Sequence, residues 1–121
     1  MKFVMKKEKR SEDRVKKNIL VYIENGGYEL LGVSSNLSSY GLFIESPYSL
    51  DAQTMVILTL ATPPGAIEIE GKVCWVKYPE DKLPLHIQPG MGIQITRAPE
   101  EYRRYIDTLR HPVSSHYAAV S

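Results

Sequence analysis

The sequence contains few of the residues on which enzyme active sites and metal centres are usually built. It has one cysteine, Cys74, and three histidines scattered over the C-terminal third, none of them at metal-ligand spacing from that cysteine. It also has no phosphate-binding glycine loop, dinucleotide-binding fingerprint or G-x-S-x-G nucleophile elbow. We therefore expect a protein with no catalytic residues, no metal site and no cofactor.

Long apolar segments are missing as well. No run of about 18 apolar residues is present, which is the length that a membrane-spanning helix needs, so no membrane span is predicted. A single cysteine excludes an internal disulfide and is typical of a reducing compartment. With 121 residues, of which 43% are hydrophobic and 24% charged, the composition is that of one globular domain. We expect this domain to be cytoplasmic.

The net charge of +1 hides an uneven distribution. Residues 1–17 contain eight Lys or Arg and three Asp or Glu, a balance of +5, so residues 18–121 carry −4. This N-terminal stretch has no strand or helix period, and we predict that it forms a flexible basic arm. A basic arm on a mildly acidic body favours an anionic partner, although a solvated tail has the same composition.

Six short segments after the arm show the two-residue period of β-strands. They cover residues 19–24, 28–35, 42–44, 54–60, 67–75 and 91–95. Turn residues separate them, beginning with Asn25-Gly26-Gly27, where the glycines tolerate positive φ and predict a hairpin. In the fifth segment Ile67, Ile69, Val73 and Trp75 share one face, so all four are predicted to face the core.

The period changes once more near the C-terminus. Tyr102, Tyr105, Ile106 and Leu109 lie at i, i+3, i+4 and i+7, which predicts an amphipathic helix at about residues 99–110. Residues 111–121 are predicted to form a flexible tail. The chain is therefore predicted to be all-β with one C-terminal α-helix. Residues 18–110 would form a small, six-stranded antiparallel β-barrel of Greek-key-like topology, packed against the helix.

Two polar motifs are not explained by a barrel alone. Arg10 and Arg14 form an R-x-x-x-R pair in the arm, and residues 36–41 read N-x-S-x-x-G between two apolar segments. A guanidinium group can bind phosphate or a guanine edge through paired hydrogen bonds. The amide of Asn36 can donate to and accept from a base, Ser38 can point the same way, and Gly41 permits positive φ or close approach to a ligand. Taken singly, each motif also fits ordinary surface charges or a hairpin loop.

Together the motifs resemble those of the PilZ domain family, whose typical members bind the bacterial second messenger cyclic di-GMP. Residues 71–75, G-K-V-C-W, are similar to the family's G-x-V-x-W strand, and residues 90–93 to the glycine-rich start of its last strand. The resemblance implies that Arg10 and Arg14 wrap the nucleotide. It likewise implies that Asn36, Ser38 and Gly41 form the floor under a guanine.

Many family members carry a further arginine where this chain has Lys9. Lysine keeps the positive charge but lacks the planar fork, so Lys9 is an additional candidate ligand residue. The resemblance further implies a bacterial receptor whose arm becomes ordered on cyclic di-GMP. Such a receptor would then engage a downstream protein in the regulation of motility, biofilm or exopolysaccharide.

Two alternatives belong to other functional classes. A PilZ-like adaptor that binds only protein would have lost motif residues, and all of them are present here. A small nucleic-acid-binding barrel would interleave aromatic and basic residues on one sheet face. Because the tyrosines and Trp75 are predicted mainly at core or helix positions, nucleic acid is not an expected partner.

Overall fold

The computed structural model of the protein describes residues 14–63, 65–77 and 89–111. Within these ranges lie six strands and one helix: β1 Leu20–Asn25, β2 Tyr28–Leu37, β3 Gly41–Glu45, β4 Met55–Thr62, β5 Gly65–Lys77, β6 Gly90–Arg97 and α1 Glu100–Arg110. All strand pairs are antiparallel and the sheet closes on itself. The predicted barrel with one C-terminal helix is confirmed.

The strands lie around the barrel in the order β1-β2-β3-β6-β5-β4, and β4 pairs back to β1. The spatial order differs from the chain order because β6 inserts between β3 and β5. The chain therefore crosses from one half of the wall to the other after β3, as Greek-key-like topology requires. Closure pairs the outer strands with each other, so the barrel offers no open sheet edge for another chain to extend.

Inward-facing side chains from all six strands form one core, which α1 completes. The core includes Val21, Ile44 and Leu58 from the wall, together with the helical residues Tyr102 and Ile106. The apolar stripe predicted for the helix is therefore buried as expected, and Pro99 precedes the first turn as the N-cap. In the part of the chain that the structure describes, no helix is long and apolar enough to cross a membrane.

The hairpin between β1 and β2 follows its local sequence. Gly26 and Gly27 have φ values of 45° and 108°, and Asn25 pairs directly with Tyr28 across this two-residue loop. Residues with side chains rarely adopt such φ values, which explains the two consecutive glycines. The predicted turn is confirmed.

Strand β2 is longer than its sequence pattern predicts. Asn36 and Leu37 belong to the strand and pair with Phe43 and Leu42 of β3. Leu37 is fully buried in the core, and this burial holds the strand in place for two residues beyond the predicted end. The polar connection is therefore confined to residues 38–40.

The prediction that Trp75 faces the core is wrong. Val73 pairs with Ile93 but Trp75 pairs with Gly92, so β5 contains one residue more than β6 at this point. This β-bulge shifts the inward–outward alternation by one residue. As a result Trp75 lies outside the barrel and is 50% exposed, whereas Val73 is buried.

The chain enters the barrel along the end of β2. Val15 and Leu37 exchange two backbone hydrogen bonds, each of 2.8 Å. The buried hydroxyl of Ser34 donates to the carbonyl oxygen of Lys17 at 2.6 Å and accepts from the amide of Ile19 at 2.9 Å. Residues 14–19 are therefore attached to the wall. The rest of the predicted arm, most of the connection between the fifth and sixth predicted strands, and the predicted tail beyond residue 111 lie outside the described residues.

Two tyrosines of α1 are buried in different polar surroundings. The hydroxyl of Tyr102 donates to the carbonyl oxygen of Ser38 at 2.7 Å, which ties the helix to the connection between β2 and β3. The hydroxyl of Tyr105 is buried without a hydrogen-bond partner among the described residues. Burial raises the pKa of this Tyr105 hydroxyl. The two residues therefore form a natural pair for testing the Tyr102 contact.

Replacing Ser34 by alanine should loosen the attachment of the entering chain. We expect Ser34→Ala to lower the free energy of unfolding by about 1–3 kcal/mol, because the buried amide of Ile19 loses its acceptor. Ser35→Ala is the matched control, since the Ser35 hydroxyl makes no hydrogen bond within the described ranges. Urea denaturation of both variants measures the difference. Equal losses would contradict the role assigned to the Ser34 hydroxyl.

Removing single hydroxyl groups from α1 should have opposite outcomes at its two buried tyrosines. Tyr102→Phe should lower the free energy of unfolding by about 1–3 kcal/mol, because the buried carbonyl of Ser38 loses its donor. Tyr105→Phe should be neutral or slightly stabilising, because it removes a buried hydroxyl that has no partner. Chemical denaturation compares the two. An unchanged stability of Tyr102→Phe would show that the contact with Ser38 contributes nothing.

Candidate functional site

An open groove of about 680 Å³ crosses the outer wall of the barrel. Strands β3 and β6 form its floor, β2 and β5 its sides, and Arg14, ahead of β1, reaches its rim. A volume in the range of roughly 300–1,000 Å³ is typical of sites for small-molecule ligands. The groove is therefore large enough to hold a small-molecule ligand.

Bulges in β2 and β5 bring functional side chains into this groove. The register of β2 against β3 shifts between Ser34 and Asn36, with Ser35 as the extra residue, and both Ser35 and Asn36 line the groove. The bulge in β5 does the same for Cys74 and Trp75. Strict alternation would have sent one residue of each pair into the core. The two bulges thus supply the groove with side chains from both sides.

Two aromatic rings form part of the groove surface. Phe43 and Trp75 stack with ring centroids 5.2 Å apart and an interplanar angle of 20°, and the Nζ atom of Lys77 lies 5.7 Å from the Phe43 centroid. The indole lies against Gly92, where an added Cβ atom would overlap it, and the Phe43 ring lies against Gly90 in the same way. These glycines of β6 therefore let the rings lie flat on the wall, where a purine can stack on them.

Arg14 is the motif arginine that the structure describes. The pairing of Val15 with Leu37 holds it at the rim of the groove that Asn36 also lines. The side-chain amide of Asn36 has no hydrogen-bond partner within the described ranges and is available to a ligand. Lys9 and Arg10 lie outside those ranges.

Ser38 and Gly41 both line the groove, and both also shape the connection from β2 to β3. The Ser38 hydroxyl oxygen accepts hydrogen bonds from the amides of Tyr40 and Gly41, each at 3.1 Å. Gly41 does not adopt positive φ. An added Cβ atom there would lie 2.5 Å from the carbonyl oxygen of Ile93, so glycine is required for the close approach of β3 to β6. The predicted places of these residues beneath a guanine stay predictions.

Sequence reasoning missed the aromatic part of the site. Phe43 was assigned only to a strand, and Trp75 was assigned to the core. The available signal was the pair of glycines two residues apart in β6, which leaves space for large side chains on the neighbouring strands. Cys74 and Gln94 complete this wall, with the Cys74 sulfur 3.6 Å from Oε1 of Gln94. No group of three or more His, Cys, Asp or Glu within the described part of the chain is placed to hold a metal ion.

Comparisons with known proteins agree with this architecture. The PilZ domain model matches residues 8–110. The solved structure of the Bacillus subtilis inhibitor of motility, MotI/DgrA, is similar to this chain with a TM-score of 0.65, at 16% sequence identity. That alignment covers 88% of this chain and 50% of the other, so this chain spans about half of MotI/DgrA, and the likeness concerns the fold alone. A comparison with curated proteins finds no match. On the match over residues 8–110, the chain belongs to the PilZ domain family.

Proposed function

We propose that this protein is a receptor for cyclic di-GMP that binds the nucleotide in the groove and signals to a downstream protein without catalysing a reaction. The observation that carries the proposal is the pairing of Val15 with Leu37. This pairing brings Arg14, the second arginine of the R-x-x-x-R motif, to the groove that residues of the N-x-S-x-x-G segment line. Membership of a family whose typical members bind cyclic di-GMP supports the same conclusion.

The groove offers a partner for each chemical group of this ligand. The two phosphates carry negative charge and suit Arg14, Arg10 and Lys9, since guanidinium groups bind phosphate through paired hydrogen bonds. The amide of Asn36 can read a guanine edge because it both donates and accepts. The exposed ring of Trp75 can stack on a guanine face. Charge, hydrogen bonding and stacking therefore favour a guanine nucleotide with more than one phosphate group.

Closure of the arm gives this receptor a way to signal. Residues 6–17 contain one apolar residue, Val15, so the arm gains little by packing on the barrel alone. A bound nucleotide gives Arg10 and Arg14 something to close upon, and binding then bears an ordering cost of roughly 1–2 kcal/mol per residue. We expect the closed arm to present a new surface that the downstream protein recognises.

Removing either motif arginine should abolish or gravely weaken binding. We expect Arg10→Ala and Arg14→Ala each to reduce the affinity for cyclic di-GMP by about a hundredfold or more, because each loses several charged hydrogen bonds worth roughly 1.5–3 kcal/mol apiece. Asn36→Ala should cost about tenfold, because it loses one or two bonds to a base. Isothermal titration calorimetry measures these changes, with GTP and cyclic di-AMP as competing ligands. Thermal stability should stay near that of the parent.

Arg104→Ala is the matched control, because Arg104 is an exposed arginine of α1 that does not line the groove. It should bind like the parent. Ser38→Ala is a different case, since it also removes the hydroxyl that accepts two backbone amides. It should therefore reduce thermal stability as well as affinity. Parent-like affinity in both motif-arginine variants would show that the nucleotide does not bind in this groove.

Limited proteolysis tests whether the arm closes. We expect saturating cyclic di-GMP to slow trypsin cleavage after Arg10 several-fold, because the arm is then held against the groove. Cleavage after Arg14 should slow less, because Val15 is already paired with Leu37. Cleavage after Lys82, outside the arm, serves as the internal control and should change much less. Unchanged arm cleavage in a protein that binds the nucleotide by calorimetry would mean that the arm is not the switching element.

A further inference from the structure

The half of the wall that faces away from the groove carries an apolar surface. We define the β1 patch as five outward-facing residues of β1, β2 and β4: Leu20, Tyr22, Leu31, Val33 and Ile57. Their side chains are between 36% and 53% exposed. Leu20 pairs directly with Val33 and Tyr22 with Leu31, while Ile57 follows on the neighbouring strand opposite Glu24. The β1 and β2 members therefore stand directly opposite one another, and Ile57 of β4 lies diagonally across from Tyr22.

Such a patch is unusual on the outside of an antiparallel barrel. Outward positions of antiparallel sheets that face water are normally polar, and exposed apolar residues normally occur singly. Contiguous exposed apolar side chains mark surfaces that contact another molecule. The closed barrel leaves no strand edge here, so a partner must bind through side chains on the face of the sheet.

Exposed carboxylates adjoin the patch. Glu24 and Glu29 stand directly opposite each other on β1 and β2, at the end where Tyr22 and Leu31 lie. Glu68 stands opposite Thr59, which in turn pairs with Tyr22. A third exposed glutamate therefore lies in the cross-strand row that contains Tyr22. Like charges directly opposite each other destabilise a sheet. A positively charged partner would relieve this repulsion.

Few of the basic residues that the structure describes lie near the patch. Lys72 pairs with Met55, beyond Ile57, and Arg97 pairs with Glu70 on the far side of β5. The exposed Lys16 and Lys17 precede β1, at the end of the patch where Leu20 pairs with Val33. None of these four stands opposite Glu24, Glu29 or Glu68, so among the described residues the acidic border has no basic cross-strand partner.

We propose that the β1 patch docks a basic amphipathic segment of a partner protein, with apolar side chains on the patch and lysine or arginine beside the glutamates. Charge complementarity decides the occupant. A second copy of this chain in a two-fold arrangement would place the same acidic border against itself. The inference deepens the proposed function, on which it rests for the identity of the partner as the downstream protein.

The patch and the groove occupy different parts of the wall. The groove lies over β3 and β6 between β2 and β5, whereas the patch lies over β1 between β2 and β4. Only β2 contributes to both. A partner on the patch therefore leaves the groove open, and one protein can hold nucleotide and partner together. The two sites can also be tested separately.

Fluorescence anisotropy with labelled synthetic peptides tests the proposal on the full chain. The probe is an amphipathic peptide of leucine and lysine in a helical pattern. One control peptide has glutamate in place of lysine, and a second has serine in place of leucine. We expect the leucine–lysine peptide to bind about tenfold more tightly than either control, with an affinity that falls as salt is raised.

Variants locate the binding on the patch. The double variant Tyr22→Ser/Leu31→Ser should weaken the leucine–lysine peptide about tenfold, and Glu24→Gln/Glu29→Gln should weaken it several-fold. Tyr48→Ser is the matched control, because Tyr48 is 71% exposed and lies outside the patch. All three should bind cyclic di-GMP like the parent. If the serine variant does not fold, the glutamine variant decides, because it changes only exposed charges.

Three outcomes would overturn the proposal, and a fourth would refute only the proposed receptor function. Equal binding of all three peptides, or parent-like peptide binding by the patch variants, would show that the patch does not select a basic amphipathic partner. Self-association in sedimentation velocity that Tyr22→Ser/Leu31→Ser abolishes would instead assign the patch to an interface between copies. If the parent protein does not bind cyclic di-GMP but the peptides bind as expected, the proposed receptor function would be refuted and the docking surface would remain supported.

Discussion

The alternation of side chains along a strand is the constraint on which this structure depends, and a bulge on each side of the groove interrupts it. In regular strand pairing, a residue that points outward is followed by one that points into the core. At Ser35 in β2 and Cys74 in β5 one extra residue lets two neighbours face outward together. Because β3 and β6 run between these bulges, the outward pairs face one another across a groove. Without the bulges, the wall would offer a plain alternating surface.

A second set of contacts holds the edges of this groove. The buried hydroxyl of Ser34 and the pairing of Val15 with Leu37 fix the last residues of the arm against β2. On the other side of the connection, Tyr102 holds the carbonyl of Ser38 from the helix. The helix therefore supports the site through Tyr102, although no helical residue lines the groove. Changes at the helix can reach the groove through one buried hydrogen bond.

The closed wall gives its two halves different surfaces. One half carries the groove, whose glycines Gly90 and Gly92 let aromatic rings lie close to the backbone. The other half carries the β1 patch with its acidic border. The core fills the interior of the barrel within the described residues, as is usual for small barrels. The two proposed binding surfaces therefore both lie on the outside, on opposite halves of the wall.

Local patterns were enough to predict the strands, the hairpin at Gly26-Gly27 and the buried stripe of α1, because periodicity and φ preferences act within a few residues. The motif residues could be named because their pattern resembles that of the PilZ domain family. The outward position of Trp75, the two bulges and the meeting of Arg14 with Asn36 at one groove could not be predicted from pattern alone. Each depends on how a strand aligns with a partner that is distant in sequence, and that alignment is decided by packing of the closed barrel.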